Sequence, residues 1–99
     1  MKYTYILLAE AQEEYESAFN WYTERSITAA ENFIADIDYT LELICSYPNR
    51  WRNEYDDFFE LGLKKYPFSI IYLIDNAHRL VIVSSIYHHS RNPKSKYRK

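Results

Sequence analysis

Ninety-nine residues, 47% of them apolar, with only one Gly and three Pro, exclude a disordered or loop-dominated chain and leave room for a single domain over 1–99. The lone cysteine, Cys45, excludes an internal disulfide and fits a reducing compartment. No run nears the roughly 18 apolar residues of a membrane span, and MKYTYILLAEAQEE meets acid too early for a signal peptide, so a soluble, cytoplasmic protein is expected.

The net charge of −2 conceals a strong polarity along the chain. From Ala9 to Glu42 nine acids stand against the single base Arg25, whereas Arg91–Lys99 holds five bases (Arg91, Lys94, Lys96, Arg98, Lys99) and no acid. Such a tail either steers the protein toward phosphate or an acidic partner or serves as a solubilising end.

Lys2–Leu8 is rich in β-formers, and its apolar ending Ile6-Leu7-Leu8 predicts a first strand covered on both faces. A helix is expected from Ala9 or Glu10 to about Arg25-Ser26. Tyr15, Ala18, Phe19 and Tyr22 share one face, and Glu10, Glu13, Glu14 and Glu16 suit the positive end of its dipole. Ala30, Phe33, Ile34, Ile37, Leu41 and Ile44 repeat at helical spacing in a second helix, capped by Ser26 or Thr28 and ended by Tyr47-Pro48-Asn49. So short a joint forces an antiparallel helix pair. Cys45, near the end of this helix, reads as a buried, inert thiol.

Asn49–Asp57 has no repeat and reads as loop. Within it Arg50-Trp51-Arg52 is either a phosphate- or base-binding group or a Trp that covers the helix pair between solvated arginines. Phe58–Leu63 reads as a strand, with Gly62 marking a bulge or a close approach to a neighbour. Phe68–Ile74 and Leu80–Tyr87 flank the polar link Asp75-Asn76-Ala77-His78 as a hairpin. Pro93 then opens a basic tail, 93–99, suited to one turn of helix. The order β-α-α-β-β-β predicts an α+β fold, an antiparallel helix hairpin on one face of a roughly four-stranded, mostly antiparallel sheet.

Beyond the hairpin, His88, His89 and Arg91 form the densest cluster of chemically useful side chains. Adjacent strand residues point to opposite faces, so His88 and His89 cannot serve one site unless the strand has ended or bulged. The same geometry opposes a zinc site built from His78, His88 and His89, and no metal or other cofactor is expected. A purely structural His88 would bond a backbone carbonyl or Glu60. Eleven tyrosines exceed what such a domain can bury with every hydroxyl paired. An aromatic and apolar groove between helix pair and sheet edge is therefore expected, covered by a partner segment or by a second copy.

The chain resembles the RelE/ParE superfamily of toxins from bacterial type II toxin–antitoxin modules along essentially its whole length. The matching residues are the first strand running into Ala9-Glu10-Ala11, Trp21-Tyr22-Thr23-Glu24-Arg25-Ser26, Ala30-x-x-Phe33 and Ile44-x-x-x-Pro48. Tyr66-Pro67-Phe68 leading into Ile71-Tyr72-Leu73-Ile74, and Ile86-x-His88-x-x-Arg91-Asn92-Pro93, complete the pattern. The resemblance implies a growth-inhibiting toxin held in check by a cognate antitoxin, as a homodimer or a toxin–antitoxin hetero-oligomer. RelE-like members cut messenger RNA on the ribosome, and ParE-like members poison DNA gyrase. The well-formed helices and the absence of a dense basic strand favour the ParE-like branch.

A metal-independent ribonuclease needs a base, an acid and cations around the phosphate. His88 suits acid–base work, Arg91 a bidentate grip on phosphate, and Lys64 or Lys65 added charge, with Tyr97 placed to stack on a base. Among these the resemblance carries over Arg91 and Lys64. Where many nuclease relatives carry an arginine ahead of the aromatic-Pro step, this chain has Phe59-Glu60. A degenerate, non-toxic antitoxin-binding member is the remaining alternative.

Overall fold

The computed structural model describes residues 2–91, in the order β1 (Thr4–Leu7), α1 (Ala9–Arg25), α2 (Ile27–Ser46), β2 (Arg52–Tyr55), β3 (Phe58–Gly62), β4 (Phe68–Asp75), β5 (Leu80–His88). The five strands form one sheet ordered β1-β5-β4-β3-β2, with β1 parallel to β5 and every other pairing antiparallel. The expected α+β architecture holds, with one strand more than foreseen. The segment expected to form a helical turn, 93–99, lies outside the described residues.

The extra strand is β2, inside the stretch read as loop. It is short and polar, as edge strands tend to be, and so carries no hydrophobic alternation. Its hairpin turns on Asp56, at φ 53°, a conformation Asp tolerates better than most residues. Asn53 Nδ2 ties the turn by donating to the carbonyls of Asp56 (3.1 Å) and Phe58 (3.0 Å).

Ser26 alone makes the joint between the helices. Its N–H donates to the Tyr22 carbonyl at 2.7 Å, closing α1, and its hydroxyl accepts from Ala29 N at 3.1 Å, opening α2. Thr28 is not the cap. The apolar faces read from the sequence meet on one side of the sheet, where Phe33, Ile37, Leu41 and Ile44 pack with Ile70, Tyr72, Val81, Val83 and Ile86. Phe33 is the aromatic hub, 5.2–5.9 Å from the rings of Tyr15, Tyr22, Tyr66 and Phe68. A smaller cluster, Phe58, Ile71 and Tyr87 with Leu73, lies on the opposite face.

Trp51 packs on the main core and its indole N–H reaches the Leu43 carbonyl at 3.4 Å, so it covers the end of α2. Tyr72, fully buried, donates its hydroxyl to the Pro48 carbonyl at 2.7 Å, and that burial raises its pKa above the ordinary tyrosine range. Cys45 is buried, and desolvation likewise pushes its thiol up.

Two expectations fail. β1 is not covered on both faces: it is an edge strand, and Tyr5 and Ile6 remain 45% and 44% exposed. Of its apolar ending, Leu7 packs on the main core while Ile6 and Leu8 are exposed. Gly62 needs neither a bulge nor special backbone, since an added Cβ would make only ordinary contact with Ser69 Oγ at 3.7 Å. The irregularities fall elsewhere, between Asn53 and Tyr55 in β2 and beside Ile71/Tyr72 between β4 and β5.

The second of these decides where the histidines point. Ile71 faces Ser85 and Tyr72 faces Val83, leaving Ser84 as an extra residue in β5. The insertion reverses the alternation, so Val81, Val83 and Ile86 all join the core under the helices. His88 follows Ile86 onto the helix side, and His89 goes with Tyr87 to the other.

Candidate functional site

A cleft of ≈ 850 Å³ opens between α1 and the end of β5. It exists because β1 pairs with β5 only as far as Leu7 and Val83, after which Leu8 N–H bonds the Val83 carbonyl at 3.0 Å and the chain turns into α1. Beyond Val83, β5 continues to His88 paired with β4 alone, its β1-side edge left open. The side chain of Glu14, from α1, takes the place of β1 there. Its Oε1 accepts from Ile86 N–H at 2.9 Å and from the Ser85 hydroxyl at 3.0 Å, and its Oε2 pairs with the Arg91 guanidinium. One carboxylate thus satisfies the open sheet edge and anchors a cation.

Arg91 is held from other directions as well. Its N–H bonds the His88 carbonyl at 3.0 Å, and its own carbonyl accepts from the Tyr87 hydroxyl at 2.6 Å. His88 stands edge-on to Phe68, with ring centroids 4.9 Å apart. His88 Nδ1 accepts from Ser90 N–H at 3.1 Å and meets the Ser90 hydroxyl at 2.7 Å. With Nδ1 an acceptor, the neutral ring carries its proton on Nε2. His88 therefore bonds neither a backbone carbonyl nor Glu60, the partners expected of a structural histidine. The cleft wall from α1 adds Glu10, Glu13, Ser17 and Trp21, and Ala18, Tyr22, Phe68 and Ile86 supply apolar surface.

His88 and Arg91 are thus brought together. Lys64 is not with them: its ammonium lies 5.9 Å from the Tyr39 ring centroid on the α2 side. The backbone around it is fixed by Asp36, whose buried carboxylate accepts from Lys64 N at 3.2 Å and Lys65 N at 2.8 Å. His78 is elsewhere again, in the β4–β5 turn, with Nδ1 2.8 Å from Asp75 Oδ2, a contact that lowers the Asp75 pKa. Among the described residues no three His, Cys, Asp or Glu side chains converge as metal ligands.

A second depression, ≈ 650 Å³, lies on the opposite face of the sheet and includes Arg52, Glu60, Ser69, Tyr87 and His89. Glu60 is buried, Arg52 stands opposite it in register, and His89 Nε2 lies 2.9 Å from Ser69 Oγ. An acid, a base and a cation share this surface, a grouping the sequence reading did not assemble. The available signal was strand alternation, which puts Phe58 with Glu60 and Tyr87 with His89; the missing piece was β2, which brings Arg52.

Chemically, the two sites differ. The first is acidic, three carboxylates against Arg91, and that guanidinium is already paired. The second has the mixed donors of an acid–base site.

An antiparallel helix hairpin on one face of a mixed sheet is a fold this chain shares with solved toxin–antitoxin proteins. The chain superposes on a structure of the chromosomal ParDE system of P. aeruginosa with a TM-score of 0.73 at 15% identity, covering 89% of this chain and 96% of that one. It also matches isolated E. coli RelE (TM-score 0.62, 14% identity, 95% and 92% covered) and the RelBE2 complex of Mycobacterium tuberculosis (0.59, 16%, 89% and 99%). No curated protein matches the chain by sequence. The model of the ParE toxin of the type II toxin–antitoxin system parDE matches residues 5–93, and the chain belongs to that family.

Proposed function

We propose that the chain acts as a ParE-like toxin: a non-catalytic cytoplasmic protein, working as one domain, that binds and poisons DNA gyrase until a cognate antitoxin neutralises it. The observation that carries this reading is the acidic lining around His88 and Arg91. A polyanion brought to this cleft would meet Glu10, Glu13 and Glu14, and Arg91 would have to abandon Glu14 to grip a phosphate. The ParDE likeness supports the same reading.

The antitoxin's place is the open edge of β1. Tyr5, Ile6 and Leu8 are exposed there beside unpaired strand backbone, a surface suited to an added strand with apolar side chains. Whether the assembly is a toxin homodimer or a toxin–antitoxin hetero-oligomer is read from the mass of the co-purified complex.

One observation favours a RelE-like, ribosome-dependent nuclease as second reading: Glu60, His89 and Arg52 on the opposite face. In that reading Glu60 takes the 2′-hydroxyl proton and His89 protonates the leaving oxygen, while Arg52 holds the phosphate. Induction in cells separates the two. Filamentation and SOS response, unchanged by Glu60→Gln, support gyrase poisoning. A rapid stop in translation that Glu60→Gln abolishes overturns it, and a harmless wild type leaves only an antitoxin-binding role.

A further inference from the structure

We infer that β1 pairs edge to edge with β1 of a second copy of the chain, antiparallel about a two-fold axis at Tyr5, so that two five-stranded sheets run on as one. The two edges of the sheet differ in what they allow. The β2 edge carries Arg52 and is broken by the irregularity between Asn53 and Tyr55, devices that discourage strand addition. β1 has neither. Residues 3–8 hold no charge and no Pro, and the strand keeps unbroken register on β5 from Thr4↔Leu80 to Leu7↔Val83. Lys2, the nearest base, is engaged by Glu42, and Tyr5, Ile6 and Leu8 are exposed.

Backbone direction sets the register of the pairing. Thr4 N–H bonds the Arg79 carbonyl at 3.1 Å and Leu8 N–H bonds the Val83 carbonyl at 3.0 Å, so Thr4, Ile6 and Leu8 turn their polar backbone groups toward β5. By alternation Tyr5 and Leu7 turn theirs to the open side. Tyr3 N–H is taken by the Cys45 carbonyl at 2.9 Å, which leaves the Tyr3 carbonyl as an acceptor. An axis at Tyr5 joins these groups. Tyr5 exchanges both N–H···O=C bonds with its own copy, and each Leu7 N–H meets the Tyr3 carbonyl of the other chain. An axis at Thr4 or Ile6 would face groups already spent on β5, and one at Leu7 would carry Tyr5 against the start of α1.

The side chains agree with this register. The two Tyr5 rings lie side by side across the axis, and Ile6 lies beside Thr4 of the other copy on the face away from the helices. The two-fold brings together uncharged residues only, so a self-complementary contact meets no like-charge repulsion. So short a strand makes a small and therefore weak interface. A partner strand laid on the same edge displaces the second copy, so self-pairing shields the free toxin's apolar edge and dissolves on neutralisation. That competition rests on the antitoxin's place at β1; the self-pairing does not.

The test uses the full chain in sedimentation and amide-exchange measurements from about 10 µM to about 1 mM, the range suited to an interface below about 1,200 Å². The mass should climb from 12.0 kDa toward twice that value. Exchange of the Tyr5 and Leu7 amides should slow over the same range, while that of the β2 edge stays constant. Tyr5→Lys and Tyr5→Glu each place like charges on the axis and should remain monomers, whereas an equimolar mixture of the two should dimerise. Tyr5 is exposed, so both variants should keep their fold, which Tm checks; should either unfold, exchange in the unaltered chain still decides. A mass that stays at 12.0 kDa throughout overturns the inference. So does self-association that Tyr5→Lys leaves intact, because another surface is then responsible, and so does a mixture of the variants that stays monomeric. None of these readouts involves gyrase or an antitoxin, so they are independent of the toxin's target.

Discussion

Replacing Glu14 by Ala removes the side chain that stands in for a missing strand. Ile86 N–H is left without its acceptor on a nearly buried edge, costing about 1–3 kcal/mol. The Ser85 hydroxyl bond is worth about 1 kcal/mol more. The Glu14–Arg91 pair is 15% exposed on one side and 38% on the other, so solvent screening holds it to about 1 kcal/mol or less. Ala returns a few tenths of a kcal/mol in helix propensity. The sum is about 3 kcal/mol, which for a domain of this size lowers Tm by roughly 10–20 °C. Urea unfolding should show the loss as a lower midpoint with an unchanged slope. Glu14→Gln keeps an acceptor oxygen for Ile86 and should lose only about 1 kcal/mol. A double-mutant cycle with Arg91→Ala isolates the ion pair. If Glu14→Ala unfolds within about 0.5 kcal/mol of the parent, the size of an ordinary surface change, the carboxylate is not holding the β5 edge.

Further predictions follow from buried polar contacts. Tyr72→Phe strips the Pro48 carbonyl of its donor and should cost about 1–3 kcal/mol in denaturant unfolding. Asp36→Ala leaves two backbone N–H groups at Lys64 and Lys65 without their acceptor, and amide exchange in the β3–β4 turn should accelerate while that of β5 does not. Burial raises the pKa of Tyr72, Tyr22, Tyr15 and Cys45 in the folded state. Their contribution is therefore complete below the ordinary Cys and Tyr values of 9.0 and 10.0 and is lost as pH rises beyond them. Tm should fall steeply above pH 10, and less so in Tyr72→Phe. A thiol reagent at pH 8 should leave Cys45 unmodified until the chain is unfolded; fast labelling of the native protein would contradict its burial.

The helices were legible because burial and periodicity agree along them. Phe33, Ile37, Leu41 and Ile44 lie where the spacing puts them, and Ser26 caps as its hydroxyl and position suggest. β2 was not legible, since Arg-Asn-Glu-Tyr on a sheet edge carries no hydrophobic alternation. β1 misled in the opposite sense: Tyr5 and Ile6 look like core residues and face outward on an open edge. Of the site, the separation of His88 from His89 was legible from alternation, but the faces they take depend on the extra residue Ser84, which leaves no local signal. Glu14 was read only as a helix-dipole acid. Its contact with Arg91 spans 77 positions, and no local pattern reports a pairing across that distance.

The most direct test of the gyrase reading is a cleavage assay with purified toxin, DNA gyrase and closed circular DNA. Linear DNA accumulating on denaturation, lost when the antitoxin is added and unaffected by Glu60→Gln, is the expected result. No trapped cleavage by gyrase, together with ribosome-dependent cutting of messenger RNA that Glu60→Gln abolishes, would contradict it.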